Sequence, residues 1–462
     1  MIQGILRRYR EPCGYREILN LAIPLILSTG SWSIQQFIDR IFLTWYSADA
    51  LAAALPSNLV NWTVISVFIG TAGYTNTFVA QYYGARQYNR IGNAVWQGLY
   101  LSLSAILLLA VFYPLADNFF RWVNHPPEVQ VMETDYFRIL LIGSPLAIAG
   151  SALSSFFTGR GDSWTVMWVN IVGMVVNVIF DYLMIFGKWI FPEMGIVGAG
   201  WASVMGMSTS TLLFFALTAL PRHNRQFQTL SGWRYNHALF KRLLRFGLPN
   251  GLQFMLEIVA FTIFIILVGK LGVVELAASN LAFNINTLAF LPMYGMTIAV
   301  STLVGQRLGE NQPALAEKST WSAFHLSFIY FFILATGYFL LPDLFLWPFG
   351  LQANPVEFEP VARVTRAILK FVAVYSLFDA ANMVFSGALK GAGDTRFVAI
   401  WSVALSWVLM IIPAWIALSL FQANIYWMWF FATLFIIALA MFLFLRFLKG
   451  PWKKMRVIEP EN

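Results

Sequence analysis

A single cysteine, Cys13, stands in a chain of 462 residues, so no intrachain disulfide can brace the fold. Histidine is nearly as scarce, and His125, His223, His237 and His325 are too scattered to offer a zinc-ligand spacing. The largest deficit is charge. Asp, Glu, Lys and Arg make up 11% of the residues, against about 25% in ordinary globular domains. A chain so poor in charge cannot clothe a water-facing surface. No Gly-Lys-Ser/Thr loop follows a strand pattern, so the sequence carries no sign of a built-in nucleotide-driven motor. It also shows no nucleophile–base constellation, which argues against an enzyme.

Apolar residues fill the space these absences leave. The chain is 59% hydrophobic, with 42 Phe, 18 Trp and 17 Tyr. Its apolar runs reach the roughly 20 residues that a helix needs to cross about 30 Å of hydrocarbon. Helices are expected because lipid offers no partner to a free backbone amide or carbonyl. Twelve spans are predicted, over 18–46, 53–80, 93–116, 130–158, 163–187, 196–220, 241–268, 277–304, 318–341, 360–388, 397–420 and 424–447. The first is too long for a secretory signal peptide and is expected to target the chain by itself. Lys and Arg in the connections divide 22 to 3 between the two sides. By the positive-inside rule both termini are expected in the cytoplasm, and the net charge of +8 then needs no nucleic acid. Trp45, Tyr46, Trp122, Trp189 and Trp347 fit interfacial belts.

The chain repeats itself. Ile23-Pro24 recurs as Leu248-Pro249, Leu51-Ala52-Ala53 as Leu276-Ala277-Ala278, and Val79 to Gly84 as Val304 to Gly309, all at an offset of 225. Gly159-Arg160-Gly161-Asp162 recurs as Gly391-Ala392-Gly393-Asp394 at an offset of 232. Six spans per half is an even number, so both halves enter from the same side and the repeat is parallel. The expected division is a bundle over 1–220, a cytoplasmic linker over 221–240 and a second bundle over 241–462. Two similar bundles facing each other favour a carrier whose central cavity opens to either side.

A carboxylate inside a span costs several kcal/mol unless it is paired, hydrated or protonated, so buried acids are candidate ion or substrate sites. Asp39, Asp181, Glu257 and Asp379 lie well inside the predicted spans. Asn177 and Asp181 are four apart on one face of the fifth. Together with Asp39, and a hydroxyl from Ser203, they supply the oxygens a dehydrated sodium ion requires. Such a cluster can instead hold a proton, since two carboxylates in one low-dielectric site do not both stay charged. The competing explanation is a structural hydrogen-bonded knot tying three helices, with Arg40 or a water neutralising Asp39. In the second half Tyr375 and Asp379 share a face, and Glu257 follows Pro249 by eight residues. Pairing with Arg363, Arg366 or Lys370 is the alternative there. Pro24, Pro145, Pro249 and Pro292 each remove a helical hydrogen bond, and Pro24 is the candidate hinge. Trp62, Trp168, Trp201, Phe290, Met293 and Tyr294 are candidate cavity-lining residues able to stack on flat cations. In Gly161-Asp162-Ser163 and Gly393-Asp394-Thr395 the acid is expected to cap the following helix.

The chain resembles the multidrug and toxic compound extrusion family along essentially its whole length. The stretches that carry the resemblance are Leu21 to Pro24, Phe37-Ile38-Asp39, Asp49 to Ala53, Leu248-Pro249 leading to Glu257, Leu276-Ala277-Ala278, Val304 to Gly309, and Asp379 ahead of Gly387 to Thr395. The resemblance implies an all-α integral membrane protein, with twelve transmembrane helices in two pseudo-symmetric six-helix bundles around a central V-shaped cavity. It implies a secondary antiporter working by alternating access, exporting amphipathic, often cationic drugs or toxic compounds in exchange for Na+ or H+. Asp39, Asn177 and Asp181 match the family's N-terminal cation site, with Ser203 where relatives can have threonine. Glu257, Tyr375 and Asp379 match the C-terminal site of the sodium-coupled bacterial branch. A functional monomer in a bacterial inner membrane, with no cofactor beyond the coupling ion, follows from the same resemblance. The rival is a flippase for a lipid-linked saccharide or other cell-envelope precursor. It calls for a more basic cavity, whereas the mid-span residues are mainly acidic.

Overall fold

The computed structural model describes residues 9, 11–123, 125–351, 354–421 and 423–459, with Leu288 described by its backbone alone. Every described element is helical. The long helices are α1 (Tyr15–Tyr46), α2 (Ala48–Gly73) continued by α3 (Thr75–Gly84), α4 (Ile91–Val123), α5 (Pro127–Arg160), α6 (Ser163–Ile185) and α7 (Ile196–Thr218). The short α8 (Pro221–Phe227) precedes α9 (His237–Gly269), α10 (Val273–Gly309), α11 (Pro313–Leu340), the short α12 (Pro342–Gly350), α13 (Pro355–Ala392), α14 (Thr395–Leu405), α15 (Ile412–Phe421) and α16 (Ile425–Lys449). Among the described residues 11 helices are long and apolar enough to cross a membrane, and 12 when the bent α10 is counted as one span. Each of the twelve predicted spans falls on one of these, so the chain is an all-α integral membrane protein. Of the residues assigned to interfacial belts, Trp45, Trp122, Trp189 and Trp347 are strongly exposed and Tyr46 is half-buried.

Two breaks have local causes. α10 bends by 44° between Thr287 and Ala289. Pro292 lacks an amide hydrogen, and its ring crowds the carbonyl four residues back, which belongs to Leu288. A wide π turn over Ser406–Ile411 joins α14 to α15 just before Pro413 and leaves room for that ring in the same way.

The contacts divide into two compact units. Among the described residues, one holds those within 23–255, 305–311 and 456–459, and the other those within 9–22, 256–304 and 312–455. The border therefore lies inside α9 rather than in the polar stretch 221–240. That stretch is docked. Asn93 Nδ2 donates to Gly232 O at 3.0 Å and to Arg234 O at 2.8 Å, and Trp96 Nε1 donates to Thr229 O at 2.7 Å. The first half of α9 stays with α2 because Gly70 and Gly251 meet backbone to backbone, where a Cβ on Gly70 would come within 2.7 Å of the Gly251 Cα. Asn250 Nδ2 adds a 2.8 Å bond to Gly70 O.

The two repeated Gly-x-Gly-Asp turns differ. Gly161 and Gly393 both end a helix in the left-handed region, at φ 87° and 109°. Asp162 caps α6 as expected, accepting from Thr165 Oγ1 at 2.9 Å and from its amide at 3.4 Å. Asp394 does not cap α14: its carboxylate is taken by Arg446 Nε at 2.7 Å, an ion pair that α16 brings to the turn.

Candidate functional site

In the N-terminal unit, α1 carries Asp39, α6 carries Asn177 and Asp181 four residues apart, α7 carries Ser203, and α5 carries Tyr136. All five side chains are buried, Asn177 and Asp181 completely. Small residues allow the helices to close this tightly. A Cβ on Gly206 would lie 2.8 Å from the Asn177 Cβ and 2.9 Å from Gly173 O, so α6 and α7 approach at a glycine seam that aims Asn177 inward.

The carboxyls of Asp39 and Asp181 lie within hydrogen-bonding reach of one another. Two acceptors cannot satisfy each other. Accordingly Asp39 Oδ1, both Asp181 oxygens and both polar atoms of Asn177 have no hydrogen-bond partner among the described residues. Arg40 is exposed and no ion pair joins it to Asp39 among the described residues, although its charge acts on the Asp39 carboxyl. The Tyr136 hydroxyl reaches Ser203 and senses the charge of both acids. Burying such a pair in low dielectric costs several kcal/mol per ion unless a proton or cation stands between them. The donor set of hard oxygens suits Na+ or H+. No cluster of three or more His, Cys, Asp or Glu residues is present among the described residues.

The C-terminal unit is arranged differently. Asp379 is buried and accepts from Asn382 Nδ2 at 3.3 Å, while Asn382 also donates to Ile436 O at 3.2 Å. Tyr375 senses the Asp379 charge, and its ring lies parallel to Trp429 with centroids 6.5 Å apart. The charge of Glu257 acts instead on Tyr294 and Lys390. The contacts described for these two acids thus run to different partners. Two of the alternative partners are engaged elsewhere: Arg366 binds Asp343 at 2.7 Å and Glu359 at 3.0 Å, and Lys370 sits over the Phe339 ring.

The candidate cavity residues scatter. Trp62 is half-buried against Trp32, with centroids 5.2 Å apart. Trp168 and Tyr294 are exposed, Trp201 and Phe290 are intermediate, and Met293 is buried. Pro24 lies inside α1, between the buried Ala22 and Leu25. Sequence reasoning missed Tyr136, because one tyrosine among 17 carries no signal of its own. It also missed Asn382, which the three-residue spacing from Asp379 offered.

Among the described residues the Asp39–Asp181 carboxyl pair makes no ion pair with Lys or Arg, and it sits in one of two halves whose sequences echo each other. Residues 24–183 and 249–416 match the MatE family, one segment in each half. The chain belongs to the MatE family. A MatE relative from Thermotoga maritima, described as the probable multidrug resistance protein NorM, is 25% identical, with all of this chain and 98% of the relative aligned. Two solved structures share the MatE fold at a TM-score of 0.86 and 21% identity, each over 98% of this chain and 99% of the other. One is an outward-facing multidrug resistance MATE family transporter. The other is a MOP superfamily transporter from Pyrococcus furiosus, for which a binding pocket of reverse polarity is said to suggest a different function.

Proposed function

We propose that the protein is a secondary antiporter that exports amphipathic, often cationic compounds in exchange for Na+ or H+ by alternating access. On this reading it works as a monomer in a bacterial inner membrane with both termini in the cytoplasm. The family membership and the relative named as a multidrug resistance protein support export of small molecules. The observation that supports ion coupling is the buried Asp39–Asp181 pair, three of whose oxygens lack a donor among the described residues, beside an Asn177 whose polar atoms have no partner there either.

Asp39 and Asp181 attract a positive species when deprotonated and lose that attraction once a cation is held between them. Compound and coupling ion then compete for one charge state, which is the mutual exclusion that exchange requires. Asn177 and Ser203 complete the oxygen shell for Na+. For H+ the two carboxyls share one proton, and Tyr136 donates to whichever oxygen remains.

Asp39→Asn tests this directly. The amide can donate to Asp181, so the buried pair is satisfied without a cation. Ion-driven efflux from reconstituted vesicles is expected to fall to background while the melting temperature holds. Full drug/ion exchange by that variant would overturn the assignment.

A further inference from the structure

The N-terminal unit buries another acid, at the end where α1 and α6 finish and α5 begins. Glu133 on α5 is fully buried, and its Oε1 lies 2.7 Å from Nδ1 of His125. Its Oε2 has no partner among the described residues. His125 precedes α5, and its side chain is 39% exposed, so the pair runs from the surface to the interior. Ser57 Oγ donates to the Glu133 carbonyl at 2.9 Å and pins this turn of α5 to α2.

At this end of the unit Leu43, Ala50, Val129, Ile185 and Ile196 pack into one apolar cluster with Tyr136. Leu43 is four residues beyond Asp39 and Ile185 four beyond Asp181, about one helical turn further along each helix. A hydrated ion cannot cross such packing without opening it. A proton can cross on side chains. Glu133 and Tyr136 are three apart on one face of α5, with Cβ atoms roughly 5–6 Å apart, and Tyr136 is the residue that senses both Asp39 and Asp181. Other charged groups at this end are committed or face outward. Asp117 is held by Arg138 at 2.6 Å, while Asp49, Arg121, Glu128, Lys188 and Glu193 are exposed. Asp135 is two residues on and faces elsewhere.

We propose that His125 and Glu133 form the outer proton entry to the Asp39–Asp181 pair, an inference that rests on the carboxyl-pair reading above. Protonated His125 passes its Nδ1 proton to Glu133. Glu133 takes it on Oε1, and a turn of the carboxyl then carries that proton to the Tyr136 oxygen as Tyr136 gives its own proton to the pair, so no charge stays on the tyrosine.

The experiment measures pH-gradient-driven export of a fluorescent cationic dye in vesicles by wild type, Glu133→Gln, His125→Gln, Glu133→Asp and Asp39→Asn, with dye affinity of the purified proteins as a second readout. Expected are rates reduced about tenfold in Glu133→Gln and His125→Gln at unchanged dye affinity, partial recovery in Glu133→Asp, and none in Asp39→Asn. Wild-type rates in Glu133→Gln and His125→Gln beside an inactive Asp39→Asn would overturn the entry path alone. So would a loss of dye affinity in step with rate, which marks a structural role. No proton-driven export by wild type also overturns the entry path, leaving the carboxyl pair to be judged by sodium-driven export. An active Asp39→Asn overturns the carboxyl-pair reading and the path with it.

Discussion

At the level of single residues, the fit of the site to a cation depends on which oxygens are left without donors. Tyr136→Phe removes the hydroxyl that reaches Ser203 and faces both acids. Loss of one such bond is worth about 1 kcal/mol, so the apparent affinity for the coupling ion is expected to weaken about fivefold in ion-titrated efflux. An unchanged half-saturation would remove Tyr136 from the site. The two C-terminal acids separate in the same kind of test. Glu257→Gln deletes a charge that Lys390 senses, so it is expected to lower the melting temperature as well as exchange. Asp379→Asn, whose contacts are Asn382 and Tyr375, is expected to spare stability and slow exchange. Full exchange by both would relegate them to structure. Asp39 and Asp181 were legible in the sequence because a carboxylate in an apolar run is costly, and Asn177 by its four-residue spacing from Asp181. Tyr136, Asn382 and the Glu257–Lys390 relation were not, because their meaning lies in which helix packs against which.

At the level of helices, small residues decide how closely the acids can be brought together. Gly206→Ala places a methyl 2.8 Å from the Asn177 Cβ and 2.9 Å from a backbone oxygen of Gly173, neither of which can yield cheaply. Such overpacking typically costs 1–3 kcal/mol. The expected result is a protein that inserts but melts lower and exchanges poorly; wild-type behaviour in both would show the α6–α7 seam to be looser than described. The spans themselves were readable from hydropathy alone. Their ends were not: α13 begins at Pro355, five residues before the predicted 360, because polar turns of a helix lie outside the apolar window. The capping role expected of Asp394 failed for a reason no local pattern holds, since Arg446 lies 52 residues away in sequence.

At the level of the whole molecule, the apolar runs marked a membrane protein and the even repeat pointed to a carrier, while the division of contacts was not legible. The hydropathy pattern shows a polar stretch at 221–240, yet the border falls within α9, where Gly70 and Gly251 touch. Exchange has an electrical consequence. A membrane potential contributes about 2.3 kcal/mol per unit charge per 100 mV, and only for net charge moved. One monovalent ion exchanged for one monovalent cation moves none, so imposing a potential at fixed ion gradients is expected to leave the rate of such exchange unchanged. A steep voltage dependence would require another stoichiometry. The central claim, that the buried Asp39–Asp181 pair couples an ion gradient to export, is tested most directly by fluorescent cationic dye transport in reconstituted vesicles. Sodium and proton gradients are imposed separately on wild type and Asp39→Asn. At least one gradient should drive transport by wild type and neither by the variant; equal gradient-driven transport by both proteins would contradict the account.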